Sequence, residues 1–292
     1  MPIVTDAVDV VTVPGTLTIS EYFGNVATQD ARLSAAHVRI TAATEEEWQT
    51  PQFDEYVLIV KGEVHLKHDQ GVLVVKGGSG VFLPKGFRVK WVFPGPAEYV
   101  PICLPAFSPD NVCREDASGP CPANGHPQRS AGSQCCFAGF RRLLGSGGCA
   151  TKVFKPLDVV AAKDLTITEY FGNVASKDPS LSACLATVRQ ACAEAYQAPA
   201  FDEYVLVLEG EVHLQTDGWW QNTTVVKAGQ AAFLKAGERV KWVWPGACKY
   251  VPICLPAFSP ANCNREEEEG AAKDEETMER LKALHSKAEG SC

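Results

Sequence analysis

Three kinds of side chain able to hold a metal or move a proton recur at matched places in this sequence. They are a carboxylate in DEYV (Glu55, Glu203), an imidazole in GEVHL (His65, His213) and a thiol in PICLP (Cys103, Cys254). Brought together, Glu55, His65 and Cys103, or Glu203, His213 and Cys254, would offer oxygen, nitrogen and sulfur donors that suit zinc or iron. The strand period argues against that meeting, because if Val64 and Leu66 face a core, His65 faces away from it. A second group, Cys113, Cys121, His126, Cys135, Cys136 and Cys149, lacks the paired C-x-x-C spacing of a zinc knuckle. Surface thiols are expected there rather than a structural zinc.

These residues recur because the chain is an internal duplication. LTISEYFGNVATQD at Leu17–Asp30 returns as LTITEYFGNVASKD at Leu165–Asp178, and FDEYVLIVKGEVHL at Phe53–Leu66 as FDEYVLVLEGEVHL at Phe201–Leu214. YVPICLPAFSP stands identically at Tyr99–Pro109 and Tyr250–Pro260. The second copy carries a short insertion around Trp219–Asn222, the mark of a hairpin loop. Shared residues can reflect limited divergence alone, whereas Pro84 against Lys235 and Lys61 against Glu209 show that the two copies need not be equal.

Short runs rich in Val, Phe, Trp and Tyr, punctuated by Gly, Pro and Asp, predict an all-β sandwich or barrel in each copy. The expected organisation is a first domain over 1–116, a Cys/Gly-rich linker over 117–151 with a short helix at Phe137–Leu144, a second domain over 152–266 and a charged tail over 267–292. Met278, Leu281 and Leu284 recur at helical spacing and predict a short amphipathic helix within Asp274–Lys287. At 46% hydrophobic and 21% charged residues the chain is globular, and a net charge of −8 without a basic patch points away from nucleic acid. No apolar run is long enough to span a bilayer, and Met1–Val11 has no leader pattern, so a soluble cytoplasmic protein is expected, with an organelle left open. In that setting the 12 cysteines are expected to be reduced thiols.

The string DEYVLVLEGEVHL, followed after a hairpin by VVKAGQAAFLKAGERVKW, resembles the two strand motifs of the cupin superfamily. In the first copy the second motif reads VVKGGSGVFLPKGFRVKW, with Pro84 and Gly86 at the P-x-G turn. Both copies are similar to the EutQ-type cupins associated with ethanolamine utilisation. The resemblance implies two tandem jelly-roll barrels. It does not choose an activity, since cupins include isomerases, lyases, oxygenases, decarboxylases, storage proteins and sensors.

Metal-binding cupins place a H-x-H pair before the first-motif glutamate and a further histidine after the P-x-G turn. Glu55 and Glu203 occupy the glutamate position, but no histidine precedes them, and Val89 and Val240 stand at the last histidine position. No cofactor is therefore expected, with a divalent Zn, Fe or Mn ion kept as the alternative. If Val89 and Val240 point inward, so do Trp91, Phe93, Trp242 and Trp244, and they would wall a pocket facing the glutamates. Burial there would raise the carboxyl pKa toward neutrality and suit Glu55 and Glu203 to acid/base catalysis. Tyr22, Tyr56, Tyr170 and Tyr204 are candidate polar handles for a ligand. Two functions stay open: a metal-independent isomerase, lyase or hydrolase acting on a small organic molecule, and a non-catalytic ligand-binding or scaffold protein. Either could be a homo-oligomer.

Overall fold

The computed structural model of the chain describes residues 1–115, 151–216, 222–266 and 275–289. The first repeat contributes β1 (Ile3–Asp6), β2 (Val8–Val13), β3 (Leu17–Phe23), β4 (Ser34–Ile40), β5 (Thr44–Glu45), β6 (Asp54–Lys61), β7 (Glu63–His68), β8 (Gly71–Lys76), β9 (Ser79–Leu83), β10 (Lys90–Phe93), β11 (Ala97–Leu104) and the short α1 (Pro109–Val112). The second contributes β12 (Lys152–Phe154), β13 (Leu157–Ala161), β14 (Leu165–Phe171), β15 (Ser182–Val188), β16 (Cys192–Ala193), β17 (Asp202–Glu209), β18 (Glu211–Thr216), β19 (Asn222–Lys227), β20 (Gln230–Leu234), β21 (Val240–Trp244), β22 (Cys248–Leu255), α2 (Pro260–Cys263) and α3 (Glu275–Glu289).

Among the described residues the first barrel pairs a seven-stranded sheet, β12-β9-β6-β11-β4-β3-β2, with a four-stranded one, β5-β10-β7-β8. The second repeats the plan as β1-β20-β17-β22-β15-β14-β13 and β16-β21-β18-β19. The expected all-β pair of jelly rolls with a C-terminal helix is what forms. Alternation drives it: in β7, Val64 and Leu66 are fully buried while Glu63, His65 and Lys67 are only partly so. Each core draws on both of its sheets. Val57, Ile59, Leu66, Val89, Trp91 and Tyr99 fill the first, and Val205, Val207, Leu214, Val240, Trp242 and Tyr250 the second. No described helix is long and apolar enough to cross a membrane.

Two compact units result. One takes in Met1–Val10, Ser20–Gln29 and the described residues from Phe154 onward; the other takes in Val11–Ile19 and the described residues from Asp30 to Val153. The repeat-based division assigns Ile3–Asp6 to the first domain, but the pairing carries β1 to the edge of the second sheet, with Ile3 opposite Phe233 and Val4 opposite Ala232. In return, β12 lies beside β9 in the first sheet. The physical reason is edge protection, since β20 and β9 would otherwise present unpaired N–H and C=O groups. Val4 also packs on the second core. Deleting residues 1–7 is therefore expected to destabilise the second barrel, seen as earlier proteolytic cleavage within residues 154–266. Unchanged cleavage there would show that β1 contributes nothing.

The linker cysteines Cys121, Cys135, Cys136 and Cys149, His126, and the helix expected at Phe137–Leu144 lie outside the described residues. Cys113 is disulfide-bonded, which corrects the expectation of reduced thiols at that position. Cys103, Cys184, Cys192, Cys248, Cys254 and Cys263 are not in disulfides. The expected tail helix forms as α3, and its inward face carries Leu281 and His285, with Met278 partly buried beside them.

Candidate functional site

β17 sends Glu203, Val205 and Val207 into the second barrel and turns Tyr204 and Leu206 to the other face. Glu203 stands opposite Cys254 on β22 and Leu234 on β20. It lines a cavity with about 100 Å³ of free space. Tyr250, Pro252 and Cys254, alternate residues of β22, line the same cavity, as do Cys184 on β15, Glu169 on β14 and Trp242 on β21. Loop residues Glu194, Gln197 and Arg265 join them, and Met278 and Leu281 of α3 complete the wall.

Burial, with Glu194 nearby, pushes the Glu203 carboxyl up to about 8, so at pH 7 it is mostly protonated. Its Oε2 is buried without a hydrogen-bond partner, as is Trp242 Nε1. Burial also holds the Cys184 and Cys254 thiols well above their usual range, so neither is a thiolate nucleophile. Glu169 Oε1 accepts from the Val174 and Ala175 amides at 2.8 and 2.7 Å. Gln197 Oε1 accepts from Cys263 Sγ at 3.0 Å. The cavity is therefore a largely apolar chamber with a proton-bearing carboxyl on its wall.

The first barrel repeats part of this chemistry. Burial and neighbouring Glu46 push Glu55 up to about 8. Glu46, itself raised by burial, lies 3.7 Å from Arg114 Nη2 and accepts from Gln49 Nε2 at 3.5 Å. Ala36 and Val112 stand where the second repeat has Cys184 and Cys263.

The sequence-derived candidates divide by strand parity. Trp91 and Phe93 stack on Tyr99 at 5.6 and 5.5 Å, and Trp242 and Trp244 on Tyr250 at 5.7 and 5.8 Å. Of the second-barrel pair, Trp242 is on the cavity wall, while Trp244 is buried in the core. Tyr56 and Tyr204 follow the glutamates by one residue and so face away from them, packing on Phe82 and Phe233 at 4.8 and 4.9 Å. Tyr170 follows Glu169 in the same way, and Tyr22 donates its hydroxyl to the Val207 carbonyl at 3.2 Å.

The Glu/His/Cys sets do not assemble. His65 Nε2 pairs with Glu63 at 2.5 Å and His213 Nε2 with Glu211 at 2.9 Å, on the face opposite Val64 and Val212. Sequence reasoning missed Tyr250, whose parity with Cys254 was readable within YVPICLP, and missed Glu194 and Arg265, which loops bring in without any periodic signal.

Comparison with known proteins supports the architecture. The EutQ-like cupin domain family matches residues 31–95. A stretch of 96 residues is 32% identical to the endoribonuclease YbeY of Myxococcus xanthus, covering 32% of each chain. A stretch of 57 residues is 28% identical to the acetate kinase EutQ of Salmonella typhimurium, covering 20% of this chain and 25% of that one. The matches thus span about a third or less of these curated relatives. Among solved structures, oxalate decarboxylase from Bacillus subtilis superposes with a TM-score of 0.61 at 12% identity, over 88% of this chain and 77% of that one. Residues 31–95 are thus a EutQ-like cupin domain, and the two-barrel fold is shared with solved cupin structures. AerE from Microcystis aeruginosa matches this chain with a TM-score of 0.54 at 8% identity, over 86% and 98% of the two chains.

The Bacillus subtilis enzyme has Mn(II) centres. In this chain, Val89 and Val240 are completely buried in the cores, and no three His, Cys, Asp or Glu side chains among the described residues are grouped to hold a metal ion. The donor set does not fit a transition ion, which asks for three or four converging ligands.

Proposed function

We propose that the second barrel of this bicupin binds a small organic molecule in the chamber behind Glu203 and that Glu203 acts there as a general acid or base without a metal. The observation that carries this reading is Glu203 Oε2: a buried, unpartnered carboxyl oxygen on a residue that lines a cavity. An unsatisfied buried polar atom costs about 1–3 kcal/mol, and a ligand would offset that cost. A carboxyl pushed up to about 8 suits proton transfer near neutral pH, as an isomerase, lyase or hydrolase requires. The cysteines at 184 and 263 and the contribution of α3 favour the second barrel as the working one, with the first as its structural partner.

The test is a fragment screen of the full chain by ligand-observed NMR, repeated on Glu203→Leu. Fragments that bind the parent should lose roughly 5-fold or more in affinity, equivalent to about 1 kcal/mol. Fragments that bind both proteins equally would remove Glu203 from the site.

A further inference from the structure

We infer that the second chamber takes a small uncharged molecule through a carbonyl oxygen, held between Trp242 Nε1 on the four-stranded sheet and Glu203 Oε2 on the seven-stranded sheet. This deepens the proposed function and rests on its placement of the site.

Trp242 and Glu203 come from two different sheets and line one cavity, and each has a buried polar atom without a partner. An indole N–H donates and cannot accept, so its partner must bring a lone pair. An ammonium or guanidinium group has none to give. The Glu203 carboxyl, kept protonated through neutral pH by burial, has an O–H to donate as well. Two donors from opposite sheets suit one carbonyl oxygen, whose two lone pairs can accept both.

The charges on the wall exclude an anion. Against the single guanidinium of Arg265 stand the carboxyl groups of Glu169 and Glu194, with Glu203 held neutral beside them. An entering carboxylate would meet more acidic groups than basic ones in a medium where unlike-charge compensation decides whether an ion can be buried. A neutral carbonyl compound avoids that cost. Val160, Ile167, Phe201 and Leu281 supply an apolar wall for the remainder of such a molecule, and about 100 Å³ of free space limits it to a few heavy atoms.

Three probes of nearly equal size separate the possibilities at pH 7: 2-butanone, butyrate and butylammonium, each titrated against the full chain by ligand-observed NMR. The ketone is expected to bind saturably and the two ions not to bind. Trp242→Phe should weaken the ketone roughly 5-fold, the loss of one neutral hydrogen bond. Should that variant fail to fold, the parent supplies a second reading, because ketone affinity should fall between pH 7 and pH 9 as Glu203 loses its donor proton. Tighter binding of butyrate, abolished by Arg265→Gln, would overturn the carbonyl assignment and leave the chamber as a binding site. Butylammonium binding best would overturn the carbonyl assignment too. If none of the three binds and the Glu203→Leu screen also shows no dependence, the chamber itself is not a ligand site.

Discussion

Glu203→Gln is expected to make the second barrel more stable than the parent at pH 8 and to leave it little changed at pH 4. Burial, with Glu194 close by, pushes the folded carboxyl from 4.5 up to about 8. Between those values the unfolded chain has released its proton while the folded chain retains it. The unfolded state then binds fewer protons, so stability falls as pH rises through this window. Below pH 4 both states are protonated and no penalty applies; above pH 8 the penalty is complete, at roughly 5 kcal/mol. Glutamine is neutral throughout and removes the slope. Glu55→Gln should do the same for the first barrel, where Glu46 is the neighbouring acid. Urea denaturation of the parent and the two variants at intervals from pH 4 to pH 9 measures this. Parallel stability curves for parent and variants would show that neither carboxyl is held neutral by the fold.

Gly210→Ala is expected to cost the second barrel roughly 3–4 kcal/mol, a large share of the roughly 5–15 kcal/mol that holds an ordinary domain folded. Gly210 turns the chain from β17 into β18 with φ of +73°, and a Cβ there would lie 2.2 Å from the Ala247 carbonyl oxygen. That contact is with backbone, so no rotamer change relieves it. Gly229, at φ +82°, is the control, because a Cβ there meets nothing within 4 Å. Gly229→Ala should pay only for the left-handed backbone, about 1–2 kcal/mol. Equal losses for the two variants, measured by chemical denaturation, would show that the close approach at Gly210 does not matter. Gly62 repeats the geometry in the first barrel, at φ +79° and 2.3 Å from the Pro96 carbonyl.

Much of this architecture could be read directly from the residues. The repeated FDEYV and YVPICLPAFSP strings mark β6 and β11 in one repeat and β17 and β22 in the other, and alternation puts Val64 and Leu66 inward with His65 outward, as found. The same rule, applied one residue further, turns Tyr56 and Tyr204 away from Glu55 and Glu203, so they are not polar handles beside those carboxyls. Glu194 and Arg265 were not legible because they sit outside the regular strands, where no period says which way a side chain points. In α3, the spacing of Met278 and Leu281 revealed the helix. Its buried face continues to His285, whose Nδ1 donates to the Leu281 carbonyl at 2.9 Å, and a polar residue on an apolar stripe gives no signal in a hydrophobic pattern.

The pairing of β1 with β20 also bears on the order in which the protein can be completed. Ile3–Asp6 leaves the ribosome before the rest of the first repeat, whereas its hydrogen-bonding partner, Gln230–Leu234, is made only within the second. The first barrel has its full complement of strands once Lys152–Phe154 has emerged, while the opening segment still waits for the second repeat. Neither repeat, translated alone, therefore encodes all the strands of its own sheet.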